Sequence, residues 1–252
     1  MDERAREGII GKLDRAREHL KRLNDEVEAF VESKPHAYWA KPDFHAGRYG
    51  IYVTVNKSPS VEMSVTCGDF IHCLRSSLDQ LVSSAVGRQT KWSSFPIYDD
   101  RDDFLCRVVI PARRKRPGQL TGLDPEGDLF TTIEALQPYN GGHGPRSHPL
   151  YNIAMLSNMD KHRAIVTSAT AQTGDTDGLP IRVKHVRPSQ AQYQTGVPLK
   201  SGAKVAWGTL TVFGAEPEME VEGEFPFEVA FGEGADFVQK ESTSSERPSM
   251  TS

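Results

Sequence analysis

The sequence has little cysteine, and its three cysteines do not form a metal or disulfide framework. Cys67, Cys73 and Cys106 are odd in number and include no Cys-x-x-Cys pair, the spacing that tetrahedral zinc sites use. We therefore predict reduced thiols, as in a cytoplasmic protein.

Long apolar runs and an excess of positive charge are also absent. No stretch reaches the roughly 18 apolar residues of a membrane span, and the chain opens on charged residues in place of an apolar signal. We therefore predict neither a membrane protein nor a secreted one. The 34 Asp and Glu exceed the 30 Lys and Arg, for a net charge of −4. Any contact with nucleic acid must then come from a local patch.

Signatures of catalytic and cofactor sites are missing as well. The sequence contains no Gly-x-Ser-x-Gly elbow, no phosphate loop and no dinucleotide fingerprint. Its candidate metal ligands, His143, His148, His162 and Asp160, match no compact ligand spacing. The sequence therefore predicts no metal and no cofactor.

Residues 2–33 predict a long amphipathic helix with a heptad seam. Its apolar residues alternate spacings of four and three: Ile9, Leu13, Ala16, Leu20, Leu23, Val27 and Phe30. We favour packing of this seam on helices of the same chain, because about three heptads are short for an autonomous coiled coil. A homodimer formed through this helix is the alternative.

A second amphipathic helix is predicted from Cys67 to Val86. His72, Arg75 and Asp79 lie beside its apolar stripe, and the last two are four residues apart, which makes them neighbours on a helix. Shorter helices are predicted over residues 124–136 and 149–160, and a short one around residues 104–108.

Period-two patterns predict strands in two regions. Residues 36–63 are typical of a strand pair with its turn at 56–60, and residues 181–187, 204–213 and 218–231 are further candidates. The last of these has an acidic face, formed by Glu218, Glu220, Glu222 and Glu224. Arg182 and Lys184 alternate with the same period and the opposite charge, so we expect the two segments to be neighbouring strands.

Together these patterns predict an α+β fold with an antiparallel sheet built mainly from the C-terminal third of the chain. We place residues 1–240 in a single domain, with the helical core mainly in 1–34 and 64–170 and the sheet mainly in 36–63 and 180–232. Residues 241–252 lack apolar periodicity and are predicted to be a disordered tail.

The first candidate site is a charged seam between two helices. It would bring His72, Arg75 and Asp79 together with a second group formed by Asp160, His162 and Arg163. These groups suffice for acid–base chemistry on a phosphodiester or an ester. They also suffice for salt bridges that fix helix packing, the interpretation that we favour.

The second candidate site is a run of four cations between Pro111 and Pro117. Arg113, Arg114, Lys115 and Arg116 lie in a predicted loop. Such a run is typical of solvated surface, and phosphate contacts to nucleic acid are the alternative.

Four motifs resemble a family of uncharacterised bacterial and phage proteins. They are LRSSLDQLV at 74–82, FPI at 95–97, LQPY at 136–139 and LSNMDKHR at 156–163. In that family the first motif is commonly Leu-Arg-Ser-Ala-Leu-Asp-His, and the last ends in Asp-Lys-His-Arg. The resemblance covers about residues 60–165 and implies a prokaryotic or phage origin without implying an activity.

The first motif is also similar to the signature of HEPN-type ribonucleases, in which an Arg is followed after four residues by His. That similarity implies a HEPN-like helical core and RNA cleavage without a metal. Arg75 stands at the Arg position, but Gln80 stands at the His position and has no proton to exchange near neutral pH. Catalysis would therefore need His72 or His162.

We accordingly predict a non-enzymatic binding or interaction protein with a role in prokaryotic defence or phage biology and with RNA or a protein as partner. The alternative is a metal-independent HEPN-like ribonuclease centred on Arg75 and His162.

Overall fold

The computed structural model describes residues 2–86, 94–108, 118–142, 144–162, 166–171, 181–194, 198–223, 227–232 and 238–239. These residues form an α+β protein, which confirms the predicted fold class. The chain divides into two compact units, a helical unit (Met1–Asp25 with Glu62–Ile165) and a sheet unit (Glu26–Val61 with Val166–Ser252). The predicted tail at 241–252 lies outside the described residues.

The described residues contain five α-helices. They are α1 (Glu3–Glu32), α2 (Val61–Val86), α3 (Arg101–Val108), α4 (Asp128–Ala135) and α5 (Pro149–His162). Helix α2 begins six residues before its predicted start, with Ser60 in the N-cap position and Glu62 in the first turn. Helix α4 begins four residues later than predicted. The Asp124 carbonyl and carboxylate instead close a turn by accepting the backbone N–H groups of Gly127 and Glu126, both at 3.0 Å.

Within the helical unit, α1 and α2 pack against each other in antiparallel orientation. Gly8 lies against Gln80, Lys12 donates a hydrogen bond to Ser76, and Arg22 approaches Glu62 at 3.4 Å. Gly8 permits the close approach, since a Cβ there would lie 2.8 Å from the Gln80 amide nitrogen. Ala16, Leu23 and Phe30 of the predicted seam are buried within the chain, whereas Leu20 is 39 % exposed.

The described strands are antiparallel throughout. In chain order they are β1 (His36–Asp43), β2 (Arg48–Val55), β3 (Val166–Ala171), β4 (Ile181–Lys184), β5 (Val186–Tyr193), β6 (Lys204–Val212), β7 (Glu218–Val221), β8 (Phe227–Gly232) and β9 (Val238–Gln239). They form a four-stranded sheet in the order β1-β2-β6-β5, a three-stranded sheet β3-β8-β9 and a two-stranded ribbon β4-β7.

The turn of the β1–β2 hairpin differs from the prediction. It occupies residues 44–47, where Gly47 supplies the positive φ of +61° that a turn needs. The predicted turn at 56–60 leads instead from β2 into α2.

One face of the four-stranded sheet is the core of the sheet unit. Tyr49, Ile51 and Val53 alternate along β2 and pack with Leu210 of β6. Met219 of β7 joins the same cluster, so the β4-β7 ribbon packs on this face. The apolar side of the ribbon thus packs on the four-stranded sheet.

The predicted pairing of the acidic strand with the basic strand is confirmed. Arg182 lies opposite Glu220 and Lys184 opposite Glu218, with ion-pair distances of 3.3 and 2.8 Å. The hydrogen bond from Lys184 lowers the pKa of Glu218. Glu222, just after β7, also pairs with Arg182 at 3.1 Å, so the like-charge row is offset by opposite charges. Glu224 lies outside the described residues.

A histidine at the start of β1 is enclosed by aromatic rings. The His36 ring lies 4.5 Å from Phe227, 6.3 Å from Phe30 and 6.4 Å from Tyr38, measured between centroids, and the residue is 7 % exposed. Burial lowers the pKa of His36 below its ordinary value, because the rings offer no solvation for an imidazolium.

Acidification is expected to weaken the sheet unit through His36. The unfolded chain takes up a proton near pH 6.5 and the folded chain only at lower pH, so stability falls as the pH drops from above 6.5 toward the folded pKa. Urea midpoints of the wild type and of His36→Phe, measured between pH 8 and pH 5, test this. The wild type should lose more stability, and parallel curves for the two proteins would contradict the prediction.

Candidate functional site

An extended segment, residues 94–98, runs through the core of the helical unit. Phe95 is buried with Val82, Phe104 and Ile133 in one apolar cluster. An extended buried segment cannot pair its own backbone N–H and C=O groups, so other parts of the chain must supply their partners.

Helix α2 supplies two of these partners from one turn. The Asp79 carboxylate accepts the Phe95 N–H at 2.9 Å, and Arg75 Nη2 donates to the Phe95 carbonyl at 2.8 Å. The two side chains also pair with each other at 3.0 Å and are only 33 % and 15 % exposed. We call this closed set of three contacts the Phe95 clamp.

Gln137, just after α4, supplies two further partners for this segment. It is fully buried. Its Oε1 accepts the Tyr98 N–H at 3.0 Å, and its Nε2 donates to the carbonyls of Pro96 and Ile133 at 3.0 and 2.9 Å. Both N–H groups and the oxygen of one amide are therefore used to hold residues 96–98 against α4.

Three of the four motifs behind the family resemblance thus form one network. LRSSLDQLV contributes Arg75 and Asp79, LQPY contributes Gln137, and FPI is the segment that they hold. No role was predicted for Gln137 from the sequence. The sequence feature that could have indicated one is a polar residue next to Pro138, at the end of an apolar helix.

The fourth motif, LSNMDKHR, lies in α5. Its Asp160 carboxylate packs on α2 at Gly68, where a Cβ would lie 2.5 Å from Oδ1. Burial, and secondarily this carboxylate, raise the pKa of Cys67 to about 12, so Cys67 stays a neutral thiol at physiological pH.

Helices α2 and α5 border a small pocket, which we call the Arg75 pocket. Its volume is about 180 Å³, and its lining includes Arg75, Phe95, Tyr98, Asn158 and Lys161. Of the predicted seam residues, Arg75 lines this pocket, and α5 contributes Asn158 and Lys161 to it, which flank Asp160 in the sequence. Gln80, at the position of the HEPN histidine, lies instead against Gly8 of α1.

The predicted contact of Asp160 on α5 with Arg75 or Asp79 on α2 is not found. Among the described side chains, no ion pair or hydrogen bond joins Arg75 or Asp79 to Asp160. His72 is exposed on α2. The side chain of His162 and all of Arg163 lie outside the described residues, as do the four cations Arg113, Arg114, Lys115 and Arg116.

Across the part of the chain that the structure describes, no group of three or more His, Cys, Asp or Glu side chains is arranged to hold a metal ion. Of the predicted candidates, His148 accepts the Leu150 N–H through Nδ1 at 3.2 Å, and His143 lies outside the described residues. None of the described helices combines the length and hydropathy needed to span a bilayer.

A second candidate site, not predicted from the sequence, lies on the four-stranded sheet. The face opposite the core carries three aromatic residues, Trp39, Tyr52 and Trp207, and three cations, Lys41, Arg48 and Lys204. We call it the aromatic sheet face. No two of these six residues are adjacent in the sequence, so only the pairing of the strands reveals the patch.

Comparison of the chain with protein-family models, with curated proteins and with solved structures found no match.

Proposed function

We propose that this chain is a non-enzymatic binding protein with RNA as its ligand. The Phe95 clamp carries the proposal. In a metal-independent ribonuclease an arginine stabilises the charge that develops on the phosphate, so its guanidinium must be free to meet the substrate. Arg75 instead donates to the Phe95 carbonyl and to Asp79, which supports a structural role.

The position of Gln80 supports the same conclusion. A catalytic histidine would have to share a cavity with Arg75, whereas position 80 packs on Gly8 of α1. A HEPN-like helical core, a prokaryotic or phage origin and a role in defence belong to the proposal as well, and they rest on the four motifs alone.

The Arg75 pocket suits an anionic group better than it suits acid–base chemistry. Lys161 and Asn158 on α5 offer an ammonium and an amide to this pocket, and both can donate hydrogen bonds to a phosphate oxygen. A dimer formed through α1 is not part of the proposal, since α1 packs on α2.

The proposal predicts that RNA stays intact. Labelled single-stranded RNA, incubated with the purified full chain in the presence of EDTA, should show no more cleavage than RNA in buffer alone, because the Arg75 guanidinium is held by the Phe95 carbonyl and Asp79. Denaturing gel electrophoresis measures the result.

If the wild type cleaves this RNA and His162→Ala does not, the proposal is overturned and the HEPN-like ribonuclease centred on Arg75 and His162 is favoured. His162→Ala is the better variant here, since Arg75→Ala also breaks the Phe95 clamp. Arg75→Lys, which keeps the charge, provides a second comparison.

A further inference from the structure

We infer that the aromatic sheet face binds single-stranded nucleic acid by stacking bases on Trp39, Tyr52 and Trp207. The inference rests on the proposed function, because it assigns the site and the form of the ligand. It places the binding site in the sheet unit, whereas every motif that the family resemblance uses belongs to the helical unit.

Strand register places the three aromatic residues on one face. Trp39 of β1 pairs with Tyr52 of β2, and Trp207 of β6 pairs with Gly50, two residues before Tyr52. Side chains two residues apart on a strand share a face, and neighbouring strands are about 4.8 Å apart. The three rings therefore lie on three successive strands, within the span of two or three nucleotides.

The aromatic rings on this face are accessible and already ordered. Trp39 is 43 % exposed and stacks on Tyr52, with ring centroids 4.6 Å apart and planes inclined by 17°. Lys204 lies over the Trp207 ring at 6.0 Å from its centroid. A ring held in place by a neighbour loses little conformational entropy when a base stacks on it.

A hollow lies beside the Tyr52 and Trp207 rings. The Tyr52 ring packs over Gly50, where a Cβ would lie 2.9 Å from the ring. The hollow has a volume of about 370 Å³, and its lining includes Tyr52, Trp207, Lys41, Arg48 and Lys204. This space is sufficient for one nucleobase next to the rings.

The charge of the patch is opposite to that of the chain. Three cations and a single carboxylate, Asp43, line the hollow, whereas the whole chain has a net charge of −4. Asp43 Oδ1 accepts the Ala46 N–H of the hairpin turn at 2.9 Å. Lys41, Arg48 and Lys204 form no ion pair with any described side chain, so all three are available to phosphates.

Together, accessible rings and unpaired cations favour a single strand over a duplex. Bases in a duplex are stacked on each other and present only their edges, whereas an unpaired base can place its flat face on an aromatic ring. The opposite face of this sheet is the buried core, so only the aromatic sheet face can serve as such a platform.

The test measures binding of a fluorescein-labelled single-stranded oligouridine of about ten nucleotides to the full chain by fluorescence anisotropy. Trp39→Ala and Trp207→Ala should each weaken binding by roughly ten- to a hundredfold, since each removes one stacking ring. Trp207→Phe should retain most of the affinity. Phe213→Ala is the matched control, because Phe213 is an exposed aromatic residue just beyond the end of β6.

Salt dependence tests the cations separately. Replacing Lys41, Arg48 and Lys204 together by alanine should reduce the slope of the log binding constant against log salt concentration by about 2 units, because three phosphate contacts are lost. Replacing Arg4, Arg15 and Lys21, three exposed cations of α1, removes the same charge and should leave the slope unchanged.

Two results would overturn the inference while leaving the proposed function standing. They are equal affinity for a duplex of the same length, and RNA binding that is unaffected by Trp39→Ala and Trp207→Ala. RNA that stays intact but does not bind, or polyglutamate that competes as well as RNA, would overturn the inference and the RNA ligand of the proposed function together. Cleavage that depends on His162 would instead contradict the proposed function, so the two failures are distinguishable.

Discussion

Gln137→Ala is expected to lower the free energy of unfolding of the helical unit by about 3 to 5 kcal/mol. The substitution removes three hydrogen bonds and leaves the Tyr98 N–H and the carbonyls of Pro96 and Ile133 without a partner. Each buried polar group that loses its partner costs about 1 to 3 kcal/mol. Against a total stability of roughly 5 to 15 kcal/mol, the loss should be large. Urea denaturation followed by circular dichroism measures it.

Two further variants separate hydrogen bonding from packing at this position. Gln137→Glu keeps the shape and the acceptor for Tyr98 but cannot donate to the two carbonyls when ionised, so it should destabilise nearly as much as alanine at neutral pH. Gln192→Ala, at an exposed glutamine, is the matched control and should change stability by less than about 0.5 kcal/mol. A Gln137→Ala protein as stable as this control would show that the network is dispensable.

Asp79→Ala is expected to lower the free energy of unfolding by about 2 to 4 kcal/mol, because it removes the carboxylate of the Phe95 clamp. The change strands the Phe95 N–H and leaves Arg75, which is only 15 % exposed, without its counter-ion. Removing one partner of a fully buried pair costs about 3 to 5 kcal/mol. The partial exposure of Asp79 moves the expected value toward the lower end.

Asp79→Asn shows how much of this cost is electrostatic. Asparagine keeps an oxygen for the Phe95 N–H but removes the charge, so its effect should lie between those of alanine and the wild type. Asp69→Ala, at an exposed carboxylate of the same helix, controls for the loss of an acidic residue from α2. A double-mutant cycle with Arg75→Ala measures the coupling within the clamp. A coupling near zero would mean that Arg75 and Asp79 do not act together.

Helices with a clear apolar period could be predicted from the sequence. The seam of α1 and the apolar stripe of α2 depend on local spacing, and both helices form where the spacing indicates. The residues at which helices begin and end were less predictable, because they depend on whether individual side-chain and backbone groups form other hydrogen bonds there. Asp124 shows this, since its side chain and carbonyl close a turn and delay the start of α4.

The candidate site was predictable only in part, because its contacts join residues that are distant in sequence. The pairing of Arg182 with Glu220 follows from matched periods and opposite charges, both visible in the sequence. The link from Gln137 to Pro96 has no such pattern, and neither has the meeting of Trp39, Tyr52 and Trp207. Those contacts depend on strand register and on which backbone groups are buried.

Pairing of β2 with β6 has a consequence for how the chain folds as it is synthesised. Ile51 lies opposite Ala206, so the edge of the β1–β2 hairpin stays open until residues 204–212 have left the ribosome. Pairing across such a separation is slow, and an open apolar edge can recruit other chains in the meantime. We therefore expect yield to depend on translation speed and on chaperones, and fragments that end before β6 to aggregate through β2.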